Sequence, residues 1–297
     1  MVIESMVSPL KAEKNPPAIM LLGFTFVTLA VWLATAVLEI EPKSMMMLVF
    51  VVIPSIPFIL KLFESDEMAL EEGRVLGSRT LAKHFSVILV LIAYFLGMTI
   101  GFTFWYVYLP EELAHDVFSI QIEELKGIKA IGANLSGAFL FTLTGLTQSA
   151  ETGAATSEKF APTFEIIFLH NLWVLFLIIA FSVIYGAGSV FILVWNASVV
   201  GVFLANFARQ FVFHESTYTL ASGVGVGLLG LIPHGSFELL SYLIGAMAGG
   251  VLSAAIVRGR FSQGRFWEIM RDVAKMMAWA IVLLALGALV ESGAIVF

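Results

Sequence analysis

The chain has 297 residues, of which 59% are apolar and 13% charged, with no cysteine and a formal net charge of −6. That composition excludes an ordinary soluble domain, and the missing cysteine excludes disulfides, thiolate metal sites and cysteine nucleophiles. No basic tail or aromatic-interleaved basic patch suggests a nucleic-acid partner; apolar runs of about 18 or more residues instead recur along the chain, each long enough to cross a hydrocarbon core of roughly 30 Å as a helix.

The polar stretch 1–15 runs into Pro16 and Pro17 and lacks the short apolar core of a cleaved leader, so the first apolar segment, about 18–38, is read as retained. A short link at 39–43 joins it to a second segment, about 44–62, predicting an antiparallel hairpin, and Pro54 and Pro57 predict a kink in the second arm. The charged stretch 64–83, with Arg74, Arg79 and Lys83, reads as a partly helical aqueous loop. A third segment, 84–109, ends in "FTFWYVYLP", where Trp105, Tyr106 and Tyr108 form an interfacial aromatic belt.

The polar interval 110–163 reads as an extracytoplasmic loop, and "ANLSGAFLFTLTGLTQSA" within it is expected to lie along a surface or partly re-enter. Segments at about 164–184 and 189–207 follow, separated by the tight turn "YGAGS", and then a short loop at 209–216. From 217 to 232 the chain is apolar and Gly-rich but too short to cross, and it halts at Pro233. A run from 236 to 257 is long enough to span, and a last segment covers about 273–290. "GVGVGLLG" has no preceding strand and no following Lys, so it is not a phosphate-binding loop.

The expected fold is an all-α polytopic transmembrane helical bundle, with about six spanning helices plus a re-entrant half-helix broken at Pro233, His234 and Gly235. Three parts follow: a membrane region over 1–109 with three helices and a charged cytoplasmic loop, an extracytoplasmic loop over 110–163, and a membrane core over 164–297. Arg258, Arg260, Arg265, Arg271 and Lys275 make the densest basic stretch, and Lys61, Arg74, Arg79 and Lys83 a second. Placing both inside puts the N-terminus in the cytoplasm of a multi-pass cell-membrane protein. It requires an odd number of crossings between Arg209 and Arg258.

Backbone that breaks inside a membrane must be covered by protein or water. Pro233, Gly235 and Ser236 therefore mark the expected break, and His234 and Glu238, four apart, share a face of the helix that follows. His170 and Asn171 in "LHNLW" and Asn196 in "VWNAS" are the expected partners, with Asn206 a further candidate, because polar side chains in a span usually face the bundle interior. Two readings stand for this cluster: interhelical hydrogen-bond glue, or a functional site for protons or ions. Neither a metal site nor any other cofactor is assigned. Gly245, Gly249 and Ser253 form a small-residue stripe that lets two helix backbones approach, within the chain or across a homodimer.

Asn171 in "HNLWV", the turn "YGAGS", Asn196 with Gly201 after it, and above all Pro233, His234, Gly235 and Glu238 carry a resemblance, over roughly 164–257, to the stage II sporulation protein M family. That family extends from spore-forming bacteria into archaea, and the general look of this chain is similar to an archaeal member. The resemblance implies a multi-helix membrane protein without established catalytic activity; in spore formers it implies a scaffold holding peptidoglycan-degrading partners at the septal membrane. The expectation is thus a non-enzymatic scaffold or assembly factor whose partners are the bilayer, a second copy, or another membrane or extracytoplasmic protein. A transporter or channel for a small solute or ion is the alternative, and water access to the cluster separates the two. An intramembrane hydrolase is weak, since neither G-x-S-x-G nor H-E-x-x-H is present.

Overall fold

In hydrocarbon an apolar run satisfies its own backbone polar groups only as a helix, and every candidate span in the computed structural model is one. The structure describes residues 15–37, 42–71, 84–126, 156–186, 188–214, 219–257 and 265–296, and no strand occurs among them. Helix α1 (Pro16–Trp32) starts where Asn15 accepts from the Ala18 amide and prolines fill the first two positions, and it continues into a π-helical turn, Leu33–Val37. Next come α2 (Lys43–Glu71), α3 (Phe85–Tyr108) and the short α4 (Glu111–Val117). The remaining helices are α5 (Thr156–Tyr185), α6 (Ser189–His214), α7 (Leu220–Val257) and α8 (Arg265–Val296). Seven of these, all but α4, are long and apolar enough to cross a membrane, rather than about six. The protein is an all-α polytopic helical bundle.

The re-entrant break is not there. Helix α7 runs unbroken for 38 residues through Pro233, His234, Gly235 and Ser236. A proline deletes one amide donor, and a transmembrane helix tolerates that loss when neighbouring groups compensate. The lost donor is the one that would have served the Leu229 carbonyl, a single bond in a helix of 38 residues. One continuous crossing still meets the requirement of an odd number between Arg209 and Arg258. Its length of about 57 Å exceeds a roughly 30 Å core, so α7 tilts or projects beyond it. In the same way α2 stays helical through Pro54 and Pro57.

Other boundaries move too. Residues 111–126 return to the bundle instead of looping free: Ala114, Val117, Phe118 and Gln121 are fully buried. Gln121 donates to Ser198 at 3.2 Å, Ser44 and Ser119 pair at 3.1 Å, and Lys43 forms an ion pair with Asp116. Helix α2 extends to Glu71, α5 begins at Thr156, α6 absorbs most of the expected loop after Arg209, and α8 begins at Arg265. The stretch "ANLSGAFLFTLTGLTQSA" lies outside the described residues, as do Arg74, Arg79, Lys83, Arg258 and Arg260.

Lipid tails are as apolar as the helices, so close packing and hydrogen bonds hold such a bundle rather than hydrophobic burial. The most buried spans are α3 and α7, and the others gather around them. Helices α1 and α3 nearly touch: a Cβ at Gly97 would lie 2.0 Å from the Met20 carbonyl oxygen. Helices α5 and α7 meet similarly at Gly249, where a Cβ would lie 2.5 Å from the Ser182 Cβ. Helix α8 lies antiparallel on α7, with Ser241 donating to the Ala280 carbonyl at 2.9 Å.

Candidate functional site

The continuity of α7 sets the site. In an unbroken helix, residues four apart stack on one face, so His234, Glu238 and Tyr242 form one row. His234 and Tyr242 are buried and Glu238 half-buried. Asn171 on α5 is buried against this row. Its side-chain Nδ2 donates to Glu238 Oε1, and its Oδ1 accepts from the Tyr242 hydroxyl at 2.9 Å. In this arrangement the amide nitrogen serves the carboxyl group and the amide oxygen the phenol.

Helix α8 closes the third side. Gly287 sits over the row, where a Cβ would be 3.3 Å from Glu238 Cγ and 3.4 Å from the His234 carbonyl oxygen. One turn further along α8, Glu291 brings a second carboxyl group beside that of Glu238. Two ionised carboxylates have no donor between them, so a hydrogen bond within the pair takes a proton on one of them. A chain of polar contacts therefore runs Tyr242, Asn171, Glu238, Glu291 and joins α5, α7 and α8 within the apolar spans.

The structure joins Asn171 to Glu238 and buries His234 one turn earlier on α7; it does not bring the other predicted members to them. His170 points out of the bundle and is exposed, because its neighbour Asn171 takes the inward direction. Asn196 bonds its own helix, donating to the Ile192 carbonyl at 2.8 Å. Asn206 accepts from Tyr106 at 3.3 Å, in a separate contact on α3. Pro233 and Ser236 are exposed on the outer side of α7, so they line no break. Among the described residues no group of three or more acidic or histidine side chains is arranged to hold a metal.

Tyr242 and Glu291 were missed. Tyr242 was legible as the next residue in the four-residue row from His234 and Glu238. Glu291 lies one residue beyond the expected end of the last segment at 290, yet α8 continues to Val296. The flanking "GALV" and "SGAIVF" are apolar, and that was the available signal.

The small-residue stripe packs inside the chain. A Cβ at Gly245 would lie 2.4 Å from Leu175 Cδ1, Gly249 abuts Ser182 as described, and Ser253 is buried near Gly186. The stripe therefore seats α5 on α7. Beside it, a groove of about 460 Å³ lies between α5 and α8, lined by Leu169, Leu172, Trp173, Leu175, Phe176, Ile179 and Met277 and by no member of the polar cluster.

No curated protein and no solved structure matches this chain. A family model described as Stage II sporulation protein M matches residues 92–293, from within α3 almost to the end of α8, and covers every member of the polar cluster.

Proposed function

The chain belongs to the stage II sporulation protein M family, and from that premise we propose that it is a non-enzymatic membrane scaffold or assembly factor. In this reading the cluster of Asn171, Glu238, Tyr242 and Glu291 fixes how α5, α7 and α8 pack, and the membrane-embedded bundle presents its outer segments to a protein partner. The supporting observation is closure. The Asn171 amide nitrogen and oxygen and the Glu238 carboxyl group all find partners on neighbouring helices, and the adjacent groove is wholly apolar.

The orientation proposed is cytoplasmic for the N-terminus, in the cell membrane. Seven crossings then leave both basic stretches, 61–83 and 258–275, on the inner side, as the positive-inside rule favours. The second reading, transport of a small solute or ion, draws on two carboxyl groups held inside the spans, where ionisable residues are functional candidates by default.

Water access separates the two, and the cysteine-free chain makes it measurable. A single Asn171→Cys substitution is probed with a membrane-impermeant thiol reagent from each side of sealed vesicles. Labelling from neither side, with thiol detected after denaturation, is the scaffold outcome. Labelling of the folded protein from one side exposes an aqueous path to the cluster and moves the assignment to transport.

A further inference from the structure

We infer that α7 carries a hinge at 233–236, on which its N-terminal arm, 220–232, bends against a fixed C-terminal half. The two halves are held differently. From 241 to 251 every residue is buried, so neighbours enclose that half all round. From 220 to 240 the buried positions are Gly223, Gly227, Gly230 and His234, spaced four, three and four apart. That spacing is one stripe of a helix, and the rest of the arm is exposed or half-exposed.

The partners differ as well. Gly223 and Gly227 seat the arm on α6, where their Cβ positions would fall 2.6 Å from Ala208 Cα and 3.1 Å from Leu204 Cδ2. The C-terminal half rests on α5 through Gly245 and Gly249, on α8 through Ser241, and on α2, where a Cβ at Gly250 would lie 2.3 Å from Phe63 Cδ2. The arm is thus tied to α6, and the other half to α2, α5 and α8.

Between the halves the helix is weakest. Pro233 has no amide, so the Leu229 carbonyl lacks its partner within the helix, and Gly235 is the poorest helix former after proline. Leu229 and Ile232 are 73% and 54% exposed, and Pro233 and Ser236 are exposed beside them, so no neighbouring helix braces the face where the bond is missing. Among the described residues, a Cβ at Gly235 would meet only the Leu231 side chain of the same helix. Bends in long helices gather at such positions, and a hinge needs only a few residues to absorb it. The proline pair of α2 lacks this freedom, because Ser55 between Pro54 and Pro57 is buried and hydrogen-bonded to Tyr94 of α3. The hinge abuts the polar row: His234 closes the arm's stripe and Glu238 follows one turn later, so bending changes the row's surroundings at that end first. It is independent of whether the cluster packs helices or carries ions.

The test uses the full chain in nanodiscs, with spin labels on introduced cysteines and distances read by pulsed electron resonance. Leu220→Cys, at the tip of the arm, is paired with Leu169→Cys on α5; Leu169→Cys with Trp279→Cys on α8 is the fixed control, and all three side chains are exposed. The tip lies roughly 20 Å from the hinge and swings by about 7 Å for a bend of about 20°. The arm pair is therefore expected to show a distance distribution several ångström broader than the control, and to narrow toward it in Pro233→Ala, which restores the amide donor. Hydrogen exchange should leave 220–232 protected as helix while amides at 235–238 exchange faster than those at 241–251. The inference is overturned if the arm pair is no broader than the control, if Pro233→Ala leaves its breadth unchanged, or if 235–238 are as protected as 241–251. Fast exchange from 220 onward would also overturn it, since the arm would then unfold rather than bend.

Discussion

Asn171 on α5 and Glu238 on α7 are joined by a side-chain hydrogen bond, and Tyr242 holds the other end of the same amide. One residue thus serves two side chains of the neighbouring helix. Removing it strands the Tyr242 hydroxyl and takes one partner from Glu238: Asn171→Leu is expected to cost about 1–3 kcal/mol, the range for leaving a buried polar group unpaired. Tyr242→Phe deletes only a donor and is expected to cost about 1 kcal/mol. Unfolding in detergent or nanodiscs, followed by helical signal, gives both values. Equal losses would mean that the amide is not the hub of the cluster.

A hydrogen bond between the neighbouring Glu238 and Glu291 carboxyl groups takes a proton on one of them, and that proton is the prediction. Glutamine carries permanent amide donors, so Glu238→Gln or Glu291→Gln is expected to keep the bridge and stability within about 1 kcal/mol. Glu238→Leu leaves the Asn171 amide nitrogen and Glu291 without their partner and is expected to cost about 1–3 kcal/mol. Infrared spectra carry the sharper test: the carbonyl band of a protonated carboxylic acid should be present in the parent chain and absent from both glutamine variants. A band that persists unchanged in both variants would locate the proton elsewhere.

Close helix contacts make a third prediction, with an internal control. A methyl group at Gly97 would fall 2.0 Å from backbone oxygen on α1, whereas nothing lies within 4 Å of the Cβ position at Gly225 on α7. Backbone cannot rotate aside as a side chain can, so Gly97→Ala is expected to lose about 1–3 kcal/mol through overpacking. Gly225→Ala is expected to be neutral, or to gain up to about 1 kcal/mol from helix propensity. Thermal unfolding of the two variants side by side tests the contrast, which vanishes if α1 and α3 are not in direct backbone contact.

The bundle was legible because long apolar runs have one stable form in hydrocarbon. Its mistaken break came from treating Pro233 as a stop, when a proline costs one backbone bond and α7 continues past it. The same continuity preserved the shared face of His234 and Glu238, so that part of the site survived a wrong premise. His170 and Asn171 could not be told apart in sequence, since adjacent helical residues differ by about 100° in direction and only packing decides which turns inward. Glu291 and the docking of 111–126 depended on contacts between segments distant in sequence, which periodicity does not encode.

Arg209 supplies the last prediction. Read from sequence as the start of a loop, it lies within α6 and reaches the end of α3: its Nη2 donates to the carbonyls of Tyr106 at 2.6 Å, Leu109 at 3.4 Å and Val107 at 3.5 Å. The last carbonyls of a helix have no amide donors of their own, and a cation there also meets the negative end of the helix dipole. The guanidinium further sits 4.7 Å from the Tyr106 ring centroid, a favourable cation–π distance. Arg209→Ala is therefore expected to cost about 1–3 kcal/mol, as for a hydrogen-bonded charged group. Arg209→Lys keeps the charge but not the planar fork, and its loss should be smaller. Hydrogen exchange distinguishes a local cap from a general loss of stability: amides near the end of α3, about 105–112, should exchange faster in Arg209→Ala while those around Asn171 stay protected. Uniform acceleration across both regions would show that Arg209 supports the whole bundle, and no change in either would remove it as a cap.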